Sequence, residues 1–306
     1  MVKKYFLTIS LGWVLFSPMG AQEKKSDTDL FTFYGFINAE TFYDTRETIS
    51  AREGEVLLYP SPKKPDNGGE DLNDRSSFNM LTLHTRLGGI VEGPGLLGAD
   101  SKGHVESDFV GMSNDLTGHF RLRHAYIELD WGDTQFLIGK YWHPMFTVQC
   151  YPNVISWGGG IPINPLSRNP QVRLTRQFNG LTASITAMSQ RDFANDGPQG
   201  KTSKYLRNSS LPEFQFQMVF NEGSDLTLGG TAGIKTMVPR TETEAGYKTD
   251  EKLVSYNTNL FLRYNGHNST LKLMGLYGQN MSNLLLPGGY VVSEISDPEK
   301  DYRKYA

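Results

Sequence analysis

From residue 31 onward, apolar and polar side chains alternate with a period of two in one segment after another. Such a period puts each set on its own face of a β-strand. The segment 181–189 is the cleanest: Leu181, Ala183, Ile185 and Ala187 oppose Thr182, Ser184 and Thr186. Segment 31–44 sets Phe33, Gly35, Ile37 and Ala39 against Tyr34, Asn38 and Glu40. Segment 78–92 sets Leu81, Leu83 and Leu87 against Thr82, His84 and Arg86, and 103–111 sets Val105 and Phe109 against Glu106 and Asp108. Further strands are expected over 119–131, 134–142, 170–178, 214–220, 226–235, 257–264 and 271–275, which makes eleven. In 119–131 the parity breaks, because Arg121 and Arg123 are odd while Glu128 and Asp130 are even. Either a β-bulge re-aims the strand, or Glu128 and Asp130 already stand in water beside the turn. The second reading is preferred, since Gly132-Asp133 follows at once.

The connections have a rhythm of their own. Tight turns, Gly132-Asp133, Asn179-Gly180, Asn221-Glu222-Gly223 and Asn265-Gly266, alternate with long polar segments, 44–77, 143–169, 190–212 and 236–254. Segment 44–77 is dense in charge and carries Pro60, Pro62 and Pro65, so it reads as an exposed loop. A sheet with tight turns at one rim and long loops at the other is the pattern of an all-β, transmembrane antiparallel β-barrel. The alternation itself cannot separate such a barrel from a soluble sandwich, which buries the apolar face instead. Three features favour the membrane. The strands are near the length a tilted membrane strand needs, the loops are asymmetric, and the polar face is uncharged or cationic at mid-strand. If the tight turns are periplasmic, the first strand runs outward and every long connection is external.

Composition sharpens this. With 21% charged residues and a mean hydropathy of -0.42, the chain is no helical membrane protein, whereas barrel strands give only alternate residues to lipid. The 15 Tyr and 17 Phe suit aromatic girdles at two bilayer interfaces. A net charge of -3 offers no basic footprint for nucleic acid. The single cysteine, Cys150, is expected to be a free thiol. At the N-terminus, Lys3 and Lys4 precede an apolar run from Tyr5 to Phe16 and then Ser17-Pro18-Met19-Gly20-Ala21. That reads as a secretory signal peptide over 1–21, too short to span a bilayer. A charged, flexible segment over 22–30 and a barrel over 31–306 follow.

No catalytic signature is present: no nucleophile elbow, phosphate-binding loop or His-Glu-x-x-His. His119 and His124 fall on opposite faces of a strand, which argues against a shared metal. Glu106 and Asp108 share a face, as paired carboxylates would, but no acid/base partner is in sight. Arg86, Arg121, Arg123, Arg173 and Arg263 all fall on polar faces, with Lys140, Lys235 and Lys272 as weaker candidates. Charge on the lipid face costs about 2–4 kcal/mol at the midplane, so these side chains are expected in the lumen. There they either favour anions or pair with Glu40, Glu106 and Asp108 to brace the wall. Segment 143–169, with Trp157 and Arg168, is too apolar and proline-rich for a free external excursion. It is expected to fold inward as a constriction, or else to pack on a neighbouring subunit.

Phe33-Tyr34-Gly35-Phe36-Ile37, Thr85-Arg86-Leu87-Gly88, Phe120-Arg121-Leu122-Arg123-His124-Ala125-Tyr126, Leu137-Ile138-Gly139-Lys140-Tyr141-Trp142 and Arg168-Asn169-Pro170-Gln171-Val172-Arg173 occur in this order. Together they resemble the DcaP-like trimeric porins of Gram-negative outer membranes, over about 31–190. The resemblance implies a sixteen-stranded trimeric barrel with a constriction loop after the fifth strand. It also implies passive diffusion of small, often anionic solutes such as carboxylates, no cofactor, and the Arg residues above along the pore. Since eleven strands are readable before Ala306, the barrel is expected to be incomplete in this chain. An outer-membrane barrel enzyme and a secreted carbohydrate-binding sandwich are the alternatives.

Overall fold

The structure, a computed structural model, describes residues 30–152, 154, 158, 160, 161 and 163–306. The expected leader, the segment up to residue 29 and Trp157 lie outside the described residues.

The chain is built from strands. In order they are β1 (Phe31–Phe36), β2 (Glu40–Asp44), β3 (Thr48–Ala51), β4 (Val56–Pro60), β5 (Ser77–Leu81), β6 (Arg86–Glu92), β7 (Asp100–Asp108), β8 (Arg121–Asp130) and β9 (Thr134–Trp142). Then come β10 (Arg168–Phe178), β11 (Leu181–Met188), β12 (Glu213–Phe220), β13 (Leu226–Met237), β14 (Leu253–Asn265), β15 (Thr270–Gly278), β16 (Val292–Asp297) and β17 (Tyr302–Tyr305). A short α-helix, α1 (Lys204–Asn208), lies between β11 and β12. Among the described residues no helix is long and apolar enough to cross a membrane, which says nothing of strands.

Eleven strands form one sheet in the order β1-β6-β7-β8-β9-β10-β11-β12-β13-β14-β15. The eleven expected strands correspond to these one for one. After the link from β1 to β6, every neighbour in the sheet is the next strand in the chain. The connections 93–99, 131–133, 179–180, 221–225 and 266–269 are short, and those between them, such as 143–167 and 189–212, are long. Antiparallel neighbours put the two classes at opposite ends of the strands.

Three local departures have physical causes. The expected first strand is divided: β1 pairs with β6 and β2 pairs with β5. Between them the Asn38 N–H bonds the Thr85 hydroxyl at 3.1 Å, so a side chain replaces a rung of the ladder. Segment 44–77 is not bare loop. It holds the β3–β4 hairpin, and two ion pairs tie it together, Arg46 with Asp71 at 2.7 Å and Arg75 with Glu47 at 2.6 Å. In β8 the exposed apolar residues pass from even (Leu122) to odd (Ile127), and Arg123 and His124 are both buried in succession. The parity break is therefore a change of phase inside the strand. At the turn end Glu128 and Asp130 are half-exposed, and Asp130 accepts the Gly132 N–H at 2.7 Å.

The contacts divide the chain into two compact units: the described parts of Met1–Glu92, His104–Arg123 and Val154–Gly159, and those of Gly93–Gly103, His124–Asn153 and Gly160–Ala306. In both, exposure is inverted relative to a soluble sheet. Phe33, Leu87 and Val105 in the first unit are exposed, while Glu106, Asp108, Arg121 and Arg123 are buried. In the second, Leu260 is 72% exposed and its neighbour Asn259 1%. Phe214, Phe216, Leu228 and Ile234 are exposed, against buried Gln215, Thr231 and Lys235. Apolar clusters are small and sit under loops. One joins Met145, Met281, Leu284 and Leu286, and another joins Cys150, Val219 and Phe261.

Candidate functional site

In the first unit the polar face carries a charge cluster. Two-residue spacing brings Glu106 and Asp108 of β7 and Arg121 and Arg123 of β8 onto one face. Arg121 grips Asp108 with Nε at 2.8 Å from Oδ1 and Nη2 at 2.6 Å from Oδ2, the bidentate geometry a guanidinium favours. Arg123 bridges the two carboxylates, with Nε at 2.7 Å from Glu106 Oε1 and Nη1 at 3.0 Å from Asp108 Oδ2. Arg86 lies 3.5 Å from Glu106, with its guanidinium over the Phe36 ring and Nη2 at 3.2 Å from His84 Nε2. The Tyr34 hydroxyl donates to Glu106 at 3.3 Å. The ring crosses Gly88, where a Cβ would stand 2.3 Å from it, so only glycine there leaves the tyrosine its path. Glu40 stands apart from these groups and accepts from the Asn38 amide at 3.0 Å. Three guanidiniums thus meet two carboxylates.

In the second unit the polar face is covered by residues 143–151. His143 Nε2 faces Glu213 Oε1 at 3.0 Å, and its Nδ1 accepts the Met145 N–H at 3.1 Å. With both ring nitrogens engaged, this pair offers no free base to a nucleophile. Gln217 donates to the Pro144 carbonyl at 2.9 Å, and Asn259 donates to Met145 O at 3.2 Å and to the Thr147 hydroxyl at 3.1 Å. The Cys150 thiol reaches the carbonyls of Leu262 and Leu273 at 3.5 and 3.6 Å, and burial pushes its pKa up, so it is an unreactive contact. Gln149 donates to Glu222, in the tight turn after β12, at 2.7 Å. The segment therefore follows the polar face of β12–β15 from the long-loop end of β12 to the tight-turn end. Beneath it, Gln215 joins Glu213 at 2.7 Å to Asn257 at 2.9 Å.

The remaining cations differ in their partners. Arg173 bonds the Gln171 amide oxygen at 3.1 Å and the Trp142 carbonyl at 2.7 Å, and lies over the Tyr141 ring. Arg263 bonds the Asn265 amide oxygen at 3.1 Å and stands directly opposite Lys272 in the β14–β15 register. Lys272 donates to the Tyr151 carbonyl at 2.6 Å. Like charges opposite one another on a sheet are destabilising. Arg168, buried against Trp142, and Lys140 both lie near Asp192. Lys235, 2% exposed, donates to Asn280 O and Asn283 Oδ1 at 2.6 and 2.7 Å.

Period-two reasoning brought together Arg86, Arg121, Arg123, Glu106 and Asp108. It missed the His143–Glu213 pair. Glu213 opens a strand whose even phenylalanines were clear, so its odd parity was the available signal.

No family model matches the chain, and no curated protein matches it. Among solved structures it is similar to the outer membrane channel DcaP of Acinetobacter baumannii, with 16% identity and a TM-score of 0.60. That alignment covers 81% of this chain and 64% of that one, so the chain spans about two thirds of the channel's length. It also aligns with a loop L8 deletion mutant of OmpT from Vibrio cholerae (12% identity, 81% and 69% covered, TM-score 0.48). A third alignment is to an anion-selective porin of Comamonas acidovorans (11% identity, 83% and 80% covered, TM-score 0.37). The resemblance to DcaP-like channels expected from the motifs is borne out in the fold, which is that of a Gram-negative outer-membrane protein.

Proposed function

We propose that this chain forms the wall of a water-filled outer-membrane channel. Small solutes diffuse through it passively, anions of the carboxylate type are preferred, and the protein works as a homotrimer. The observation that carries the reading is the inverted exposure. Rows of Leu, Ile and Phe face outward beside buried Asn, Gln, Thr and charged residues, which suits lipid outside and water inside. Residues 143–151, laid along the polar face, are the constriction in this reading.

The anion preference rests on how the cations are partnered. Arg121 and Arg123 are neutralised by Asp108 and Glu106 and act as braces. Arg173 and Arg263 are held by amide and carbonyl oxygens, so their charge stays available to a passing anion. The trimer rests on the motif resemblance alone.

Planar-bilayer recording across a KCl gradient tests the reading. The protein is expected to conduct with a reversal potential on the anion side. Arg173→Gln with Arg263→Gln should move it toward cations, and Arg121→Gln should move it less. Absence of conductance, or cation preference indifferent to Arg173 and Arg263, overturns it.

A further inference from the structure

Residues 143–151 are not alone on the polar face of the second unit. The segment after β15 turns back over it. Asn280 and Leu285 adopt left-handed backbone (φ 53° and 59°), and Asn280, Met281, Ser282, Asn283 and Leu284 between the turns are all buried. A loop of this composition turned inward needs its polar groups met, and the wall meets them. Lys235 of β13 donates to Asn280 O and Asn283 Oδ1 at 2.6 and 2.7 Å. The Asn280 amide donates to the hydroxyl of Ser255, which faces Lys235 in the β13–β14 register, at 2.7 Å. Asn195, from the connection before β12, donates to the same Asn280 carbonyl at 2.7 Å.

The other side of this segment is apolar and touches the first loop. Met281, Leu284 and Leu286 close around Met145, and the Leu166 N–H bonds Leu284 O at 2.9 Å. The two loops occupy neighbouring stations on one strand pair. The Lys235–Ser255 rung holds the second, and the Thr231–Asn259 rung, four residues along, holds the first. At about 3.4 Å per residue that separation is roughly 14 Å, so the loops are stacked along the strands and meet at Met145. A fully buried ammonium is costly unless its hydrogen bonds are made. Placing one where an apolar side chain would pack without that cost marks a fixed attachment of loop to wall.

We propose that Gln279–Leu286 is a second constriction element, which sets the aperture by holding residues 143–151 in place, with Lys235 as the positioning residue that fixes it to the wall. The proposal rests on the channel reading above. Single-channel recording of the whole protein tests it with two variants, Lys235→Met at the wall and Leu284→Ser on the loop. Both should raise conductance by roughly half and add rapid flicker, since a loosened loop no longer narrows the path. Ion preference should stay as in the parent for Leu284→Ser, which alters no charge; a general lesion of the wall would move both. If the parent conducts and neither variant changes its conductance, the second constriction is wrong and the channel reading stands. If the parent does not conduct, the channel reading itself falls. Leu284→Ser decides alone should Lys235→Met fail to insert.

Discussion

Asp108 binds two arginines and so matters more to the wall than either one. It accepts both nitrogens of the Arg121 fork and one from Arg123, and no part of its side chain is exposed. Asp108→Asn leaves the buried Arg121 guanidinium without its carboxylate and Arg123 with Glu106, which Arg86 also approaches, and removing one partner of a buried pair costs about 3–5 kcal/mol. Denaturant unfolding in detergent micelles should show a loss of that size, whereas Arg173→Gln should alter ion preference with little change in the transition. Asp71, in the loop before β5, gives a pH dependence. The Arg46 guanidinium, first among its partners, and the N–H groups of Lys64 and Asn73 hold its pKa at about 2, below the ordinary 3.8. A lowered folded pKa means the opened loop binds more protons. The stabilisation is therefore complete above the ordinary value and fades as pH falls through 3.8 toward 2. Amide exchange at Asn73, corrected for its intrinsic pH dependence, should stay constant from neutral pH to about 5 and accelerate below 4. Asp71→Asn should abolish that dependence. That Glu106, Asp108, Arg121 and Arg123 share a face was legible, because parity fixes faces. Which arginine takes which carboxylate was not, because that depends on the stagger between β7 and β8.

The loop 143–151 is the element on which the reading of the site turns. The prolines and apolar residues of 143–169 argued against a free external excursion, but did not give the route. Three of the loop's anchors are its own backbone carbonyls, Pro144, Met145 and Tyr151, met by Gln217, Asn259 and Lys272 from strands distant in sequence. Every residue has a carbonyl, so such anchors leave no mark in a sequence. The same blindness hid the segment 279–286, whose main attachment is Asn280 O. Asn259→Leu removes the donor to Met145 O and Thr147, and leaving buried polar groups unmet costs about 1–3 kcal/mol. The expected result is a loosened loop. Thermal unfolding in micelles should shift down, and proteolysis within 143–151 should speed up while the strands stay protected.

At the scale of the whole molecule, the outward apolar rows separate a membrane wall from a soluble sheet. Leu260, 72% exposed at the middle of β14, is a sensitive probe. Leu260→Arg on a lipid-facing row should cost about 2–4 kcal/mol and lower the yield of folded protein in vesicles. On a water-facing surface the same change would be neutral. Equal folding of variant and parent in lipid would contradict the membrane wall. The sequence by itself determined the eleven strands of the large sheet, the alternation of short and long connections and the division of most strands into two faces, while the hairpins β3–β4 and β16–β17 went unread. These follow from local rules: period-two side chains, glycine and asparagine turns, proline-rich breaks. It left open which face turns outward, since a sandwich and a barrel wall share one alternation. The structure leaves the apolar rows exposed and the polar ones buried, and its fold is similar to that of the DcaP channel. Only the tertiary structure decided which arginines are neutralised, where β8 changes phase and how the two loops lie along the wall. Each of these depends on register and on backbone atoms brought together from distant parts of the chain, and neither is written in the order of side chains.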